Sequence, residues 1–474
     1  MIKKFLICFL LNSATMLFGQ WEPDQRITND PSVSQTSPNS GWCVAAQNDT
    51  VHIVWFDYRE GGDKIYYCRS TNGGLSWGPE TKIVDTAAFY PQSPVVSLAV
   101  SPPRNIHIVW CDYIRGGDDE IFYKRSTDGG TTWRPDTQLT RDDLRVEADS
   151  WASIATSGQF IHVVWHDLKW DGVRYNWDIF YKRSTNGGTN WEPDQRLTTD
   201  PGGSGPPSVA ATGSYVHIVW YDLRDGNPEI YYKRSTDNGS TWGADIRLTN
   251  DGANSYLPTI GANGSSVHIA WFDERDGDRE IYYKRSTDAG STWGSDTRLT
   301  NSPGESNRPS IAVSGQNLHL VWYDQRDGNY EIYYKRSTNN GTIWSPDTGL
   351  TADGAASFYP SIAISGSKLH TVWTDERDGN REIYYKRNPT GNTGIEEKEI
   401  RSQKLEARLQ VTPNPFAHFA TAIGWEREYF DIYDITGKWV GKDPGYMIGR
   451  DLTAGVYFIE GVSTHQLLRI VKIR

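Results

Sequence analysis

The sequence predicts an all-β fold, a seven-bladed β-propeller with a smaller β-unit behind it, on the strength of three observations. A His-x-Val/Ala-Trp run recurs at residues 52–55, 107–110, 162–165, 217–220, 268–271, 319–322 and 370–373, seven copies at steps of 55, 55, 55, 51, 51 and 51 residues. Each unit splits into four short strand-like runs separated by turn-rich stretches; in the sixth they are 309–314, 318–323, 331–336 and 349–351. A unit of four antiparallel strands cannot bury both sheet faces alone, whereas a closed circle of such units can. Finally, the seventh unit stops at Tyr385-Lys-Arg-Asn-Pro389 without its closing segment, while residues 21–28, Trp-Glu-Pro-Asp-Gln-Arg-Ile-Thr, match 191–198 almost residue for residue. The outer strand of the last blade, beside 382–387, is therefore expected to come from 21–28, which leaves no open gap.

Ahead of the repeat, Lys3 and Lys4 precede the apolar stretch 5–11 and small residues near Gly19, so residues 1–20 read as an export signal. No later segment approaches the roughly 20 consecutive apolar residues of a membrane span. Mean hydropathy is −0.61, and no transmembrane segment is expected. A net charge of −11 argues against nucleic acid as a partner, because binding to phosphates relies on basic patches that release counterions. Beyond Cys8 in the signal, Cys43, Cys68 and Cys111 allow at most one disulfide. The 20 tryptophans and 26 tyrosines suit both β-cores and stacking against ligands.

Between the third and fourth strands stands Ser-Thr-Asp/Asn-x-Gly-x-x-Trp, at 70–77, 126–133, 184–191, 235–242, 286–293 and 337–344. The Asp or Asn side chain is suited to capping turn amides, the Gly to a left-handed backbone, and the Trp to packing under the hairpin. This motif resembles the Asp-box, or bacterial neuraminidase repeat, of sialidases and related propellers, and the resemblance covers residues 21–387. It implies a carbohydrate-active fold, with glycans or glycoconjugates as partners. Sialidases, however, have six blades rather than seven.

In a four-stranded meander the Asp-box turns lie on one face, and the second-to-third and inter-blade loops on the other. A central site is expected on the second face. The seven repeated histidines are spread evenly around the circle, so no metal site is expected and each reads as a packed strand residue. Asp-x-Arg-Asp-Gly follows the same strand at 222–226, 273–277, 324–328 and 375–379. Sialidases bind a carboxylate with three arginines, and Arg224, Arg275, Arg326 and Arg377 superficially offer such a set. Their uniformity favours structural Arg–carboxylate pairing instead; a structural calcium ion on these acidic loops is the alternative, and no other cofactor is expected.

Departures from the repeat point to a site, because packing does not require them. Blade three departs most: 141–151 carries Glu147, Asp149 and Trp151, and the expanded loop 166–177 carries His166, Trp170, Arg174, Tyr175 and Trp177. The aromatic and basic members are candidate ligand contacts, and the acids candidate catalytic groups. The residue before each first strand also varies, as Asn39, Trp151, Pro206, Leu257, Arg308 and Tyr359, and should ring the channel mouth. Arg308-Pro-Ser faintly resembles the Arg-Ile-Pro motif of sialidases, and Tyr359 stands where a tyrosine nucleophile could, although the rest of that set is missing.

Residues 388–405 are polar and charged, as in a linker. In 406–474, Pro413-Asn-Pro-Phe416, 431–437 (Asp-Ile-Tyr-Asp-Ile-Thr-Gly) and 452–459 (Leu-Thr-Ala-Gly-Val-Tyr-Phe-Ile) resemble the C-terminal sorting domain of the type IX secretion system, a small immunoglobulin-like β-sandwich. That resemblance implies the secretion machinery as a partner and a secreted or outer-cell-surface location. The functional expectation is a glycan-binding propeller, with an exo-α-sialidase-like hydrolase as the alternative.

Overall fold

The computed structural model describes residues 21–38, 42–62, 64–84, 95–112, 120–141, 151–170 and 175–391, and in the C-terminal part 410–412, 421–423, 429–434, 439–444, 448, 452–453, 455–461 and 467–472. The chain divides into two compact units, Met1–Glu396 and Glu397–Arg474.

The first unit is a seven-bladed propeller. Blade four shows the plan: Ser208–Thr212, Tyr215–Asp222, Glu229–Ser235 and Ile246–Arg247 lie side by side in chain order, each antiparallel to the next. Second strands are covered on both faces, which is why they read as continuous apolar runs rather than alternating ones. The Trp that ends each His-x-Val/Ala-Trp run, the ruler of the repeat, is sequestered: Trp55, Trp110, Trp165, Trp220, Trp271, Trp322 and Trp373 are among the largest fully buried side chains.

Closure occurs as the sequence predicts. Gln25–Arg26 pairs with Tyr385 and Tyr384 of the strand Glu382–Asn388, completing blade seven. Backbone bonds from Glu22 to Arg387 (2.9 Å) and from Ile27 to Ile383 (2.8 Å) extend the ladder. Arg26 forms a 2.8 Å ion pair with the buried Glu382, and Trp21 meets Tyr334 of blade six edge-on at 5.0 Å. Blade one differs from the expected four strands. Both Ser34–Gln35 and Val44–Gln47 pair with Thr50–Asp57, giving a five-stranded sheet.

The repeated residues hold neighbouring blades together. Each ruler histidine bonds through Nδ1 to a third-strand tyrosine hydroxyl of its own blade, as in His217–Tyr232 at 2.6 Å and His370–Tyr385 at 2.7 Å. Six of these tyrosines press on the Ser-Thr-Asp/Asn-x-Gly-x-x-Trp turn of the next blade. A Cβ at Gly290 would stand 1.9 Å from the Tyr232 hydroxyl, and one at Gly74 would stand 1.8 Å from that of Tyr385. The box Trp then meets the same ring edge-on, as in Trp293 on Tyr232 at 4.8 Å. Glycine is required for this approach, and its left-handed φ (79° at Gly290) for the turn. Burial lowers the imidazole pKa to about 3 at His52, His107, His162, His217, His319 and His370 and to about 4 at His268, with a neighbouring arginine acting in the same direction.

On the axis, first strands from all seven blades converge on a cavity of about 250 Å³ lined by small side chains such as Ala45, Ala99, Ala210 and Ala363. Cys43 and Cys68 are buried free thiols. In the second unit, Gln410–Thr412 pairs with Thr421–Ile423, and Trp439–Pro444, Tyr429–Asp434, Gly455–Gly461 and Leu467–Lys472 form a four-stranded sheet in that order. The whole fold is all-β.

Candidate functional site

The uniform Asp-x-Arg-Asp-Gly loops are structural. Asp222 takes both Nε (2.8 Å) and Nη2 (2.7 Å) of Arg224, the Trp220 indole (2.8 Å) and the Ser204 hydroxyl (3.0 Å). Arg224 also bonds Asp245 of the outer strand region at 2.9 Å, and its guanidinium lies 4.4 Å from the centre of the Tyr231 ring. Arg275, Arg326 and Arg377 repeat the arrangement with Asp273, Asp324 and Asp375. These four arginines are occupied in four separate blades, and Asp222, Asp273, Asp324 and Asp375 are engaged by the same bonds.

The irregular residues gather elsewhere. A cavity of about 590 Å³ opens on the face opposite the Ser-Thr-Asp/Asn-x-Gly-x-x-Trp turns, walled by blades three to six. Its residues come from the segments leading into first strands and from those just after each ruler Trp, as expected for a site on this face. Trp151, His166, Trp177 and Arg308 all stand in its wall. His166 stacks on Trp177 at 4.6 Å and bonds the Ser204 carbonyl at 3.4 Å. Gly205 lets the next ring in, because a Cβ there would lie 2.1 Å from the Tyr221 ring. Tyr221 meets Tyr256 edge-on at 5.0 Å, and Tyr256 lies 5.5 Å from Phe272. Burial raises the phenol pKa of Tyr221 and Tyr256, and pushes that of Tyr323 up to about 12. All three are neutral hydroxyls at physiological pH.

Backbone strain sits at the same rim. Leu257, Arg308 and Tyr359 have φ of 46°, 49° and 55°, each just before a proline and within a break in strand register. Non-glycine residues adopt this left-handed region only where surroundings impose it, and bulges there re-aim side chains. Arg308 is aimed across the mouth. Its guanidinium lies 5.7 Å from the Trp151 ring centre and 5.2 Å from that of Tyr359, and it donates to the Pro38 carbonyl. Among the described residues no carboxylate pairs with it. Its neighbour Asn307 is 4% exposed, lines the cavity, and has a side-chain oxygen without a hydrogen-bond partner among the described residues.

Of the other candidates, Tyr359 packs against Arg308 behind the cavity wall, and Tyr175 is 47% exposed and lies outside the lining. Trp170 ends the strand Phe160–Trp170, where only its backbone is described; Glu147, Asp149, Arg174 and Asn39 lie outside the described residues. Reading the sequence by blade three alone misses Tyr221, Tyr256, Phe272, Glu274, Arg279, Asn307 and Tyr323. A signal was there: the residue after each ruler Trp runs Phe56, Cys111, His166, Tyr221, Phe272, Tyr323 and Thr374, varying where the strand before it does not.

No family model matches the chain, and no curated protein matches it. Solved structures do. An ulvan lyase of the PL25 polysaccharide lyases, bound to -[GlcA(1-4)Rha3S]-, is 10% identical with a TM-score of 0.54, covering 77% of this chain and 94% of that one. The polysaccharide lyase Uly1 is 11% identical with a TM-score of 0.51, covering 78% and 99%. The Hadza microbial sialidase Hz136 is 14% identical with a TM-score of 0.44, covering 71% and 73%. At these identities the likeness to the two lyases is one of fold, the β-propeller.

Proposed function

We propose that this protein is a secreted or cell-surface glycan-binding propeller whose site is the 590 Å³ cavity of blades three to six. One observation carries the reading: the cavity joins Trp151, Trp177, Tyr221, Tyr256 and Phe272 to the Arg308 guanidinium, which no carboxylate pairs among the described residues, and to the Asn307 side-chain oxygen, which has no hydrogen-bond partner among them. Sugar rings present apolar faces to aromatic side chains and hydroxyl or acidic edges to such polar groups. The fold shared with polysaccharide lyases is in keeping with a carbohydrate ligand. A glycan array probed with the purified protein, beside Trp151→Ala/Trp177→Ala, tests it. Losing two stacked rings should weaken binding about tenfold or more. Equal signals from both proteins, or none from either, would overturn the reading, and turnover of a fluorogenic sialoside would favour a hydrolase instead.

Export is part of the same proposal, supported by the signal-like residues 1–20 and the sorting-domain motifs in 406–474. Deleting 406–474 should strand the protein in the periplasm. Normal levels in the medium would refute a sorting role.

A further inference from the structure

The main cavity does not end at its wall in blade five. A second hollow of about 350 Å³, lined by Ala253, Asn254, Gly277 and Asp278, shares Glu274 and Arg279 with it. The two hollows therefore adjoin at Glu274 and Arg279. Arg279 is held at this junction. It lies 5.1 Å above the Phe272 ring and reaches Glu274 at 3.1 Å and Glu305 at 3.4 Å, with its own side chain 37% exposed.

The same place in blades six and seven carries further contacts. In blade six it is held by Tyr330, which packs edge-on against Tyr323 at 5.1 Å. In blade seven Arg381 sits over Phe358 at 4.9 Å and pairs with Glu376, as Arg279 does in blade five, but it also bonds Gln35 at 2.7 Å. The segment Ser34–Gln35, paired to blade one, thus covers blade seven's counterpart. At blade five no such segment intervenes among the described residues, and the cleft runs from the Trp151–Trp177 end outward past Phe272 to Asp278.

A pocket that captures a chain end is closed on one side; a cleft continuing to the rim accepts a chain that continues. We propose, resting on the glycan-binding reading above, that the ligand is an internal stretch of a linear glycan. One unit sits over the aromatic floor beside Asn307 and Arg308, and the following units cross Arg279 toward Asn254 and Asp278. The geometry makes recognition independent of either chain end.

The test is calorimetry on the full chain with mono-, di-, tetra- and hexamers of two series, cello-oligosaccharides and oligogalacturonates, and with hexamers bearing a bulky block at the non-reducing end. Affinity should rise about tenfold or more from monomer to tetramer, as added units gain stacking and hydrogen-bond contacts, and blocked hexamers should bind like free ones. Arg279→Ala should reduce the gain with length. A hexamer no tighter than its monomer, or loss of binding on end-blocking, overturns the inference while the glycan reading stands. Silence from both series, with array signals confined to branched glycans, refutes the linear cleft alone; silence on the array as well removes both readings.

Discussion

Acid should unfold this propeller in a pH window set by its ruler histidines. Each of the seven has a folded pKa near 3 to 4, against an ordinary value of 6.5, because burial penalises the charged ring. With the folded pKa depressed, the folded state takes up no proton between pH 6.5 and about 4, while the unfolded chain does. Stability is thus complete above pH 6.5 and lost as pH falls. One pH unit below 6.5 the loss is about 1.4 kcal/mol per histidine, or about 10 kcal/mol for seven. That rivals the whole stability of many domains. The carboxylates held low by hydrogen bonds, such as Asp273 and Asp324 beside their arginines, weaken the fold only as pH drops further toward their own range, while Glu80, Asp178, Glu331 and Asp353, raised by burial, act in the opposite direction. Calorimetric melts at pH 7.5, 6.5 and 5.5, with histidine NMR at each, should show the melting temperature collapsing by more than about 10 °C while folded rings stay neutral. A melting temperature constant within about 2 °C, or ring signals titrating near 6.5 in the folded protein, would refute the account.

Three further outcomes follow from packing. Removing residues 21–30 takes away the Gln25–Arg26 pairing, the Arg26–Glu382 ion pair and the Trp21–Tyr334 contact, and should lower the melting temperature by about 10 °C or more; an unchanged curve would argue against closure by this strand. Gly239→Ala places a Cβ 1.9 Å from the Tyr181 hydroxyl at φ 79°, and should cost about 2–4 kcal/mol in denaturant melts, whereas Gly213→Ala, with nothing within 4 Å, should cost only the strain of φ 57°, about 1 kcal/mol. Thr371 occupies the ruler position that holds Ile, Val or Leu in the other blades, fully buried with its hydroxyl unpartnered among the described residues, so Thr371→Val should stabilise by about 1 kcal/mol; destabilisation would mean the hydroxyl has a bonding role.

The blade count, the borrowed outer strand and the face of the cavity were legible because each rests on periodicity, and a repeat that must close a circle leaves its register in the sequence. The structural status of Arg224, Arg275, Arg326 and Arg377 was legible for the same reason: four identical loops cannot make one asymmetric site. The floor of the cavity was harder. Tyr221, Tyr256 and Phe272 are ordinary strand residues for an all-β chain, and only the ring geometry brings blades four and five beside Trp151 and Trp177 of blade three. The left-handed backbone at Leu257, Arg308 and Tyr359 had a faint local sign, a proline after each, but the bulge that produces it depends on pairing with the second strand. Asn307 gave no sign at all, since burial without a partner is a property of surroundings.

The bonds that close the propeller join residues such as Arg26 and Glu382, 356 positions apart. Until the final blade has left the ribosome, everything before it can be at most an open arc, with unpaired strand edges and the apolar flanks of two end blades facing water. The entropic cost of joining such distant partners grows only logarithmically with length, so the delay bears on kinetics far more than on final stability. An arc of this kind is a template for pairing with a second chain, and the interval before its ends meet is the time in which that hazard exists.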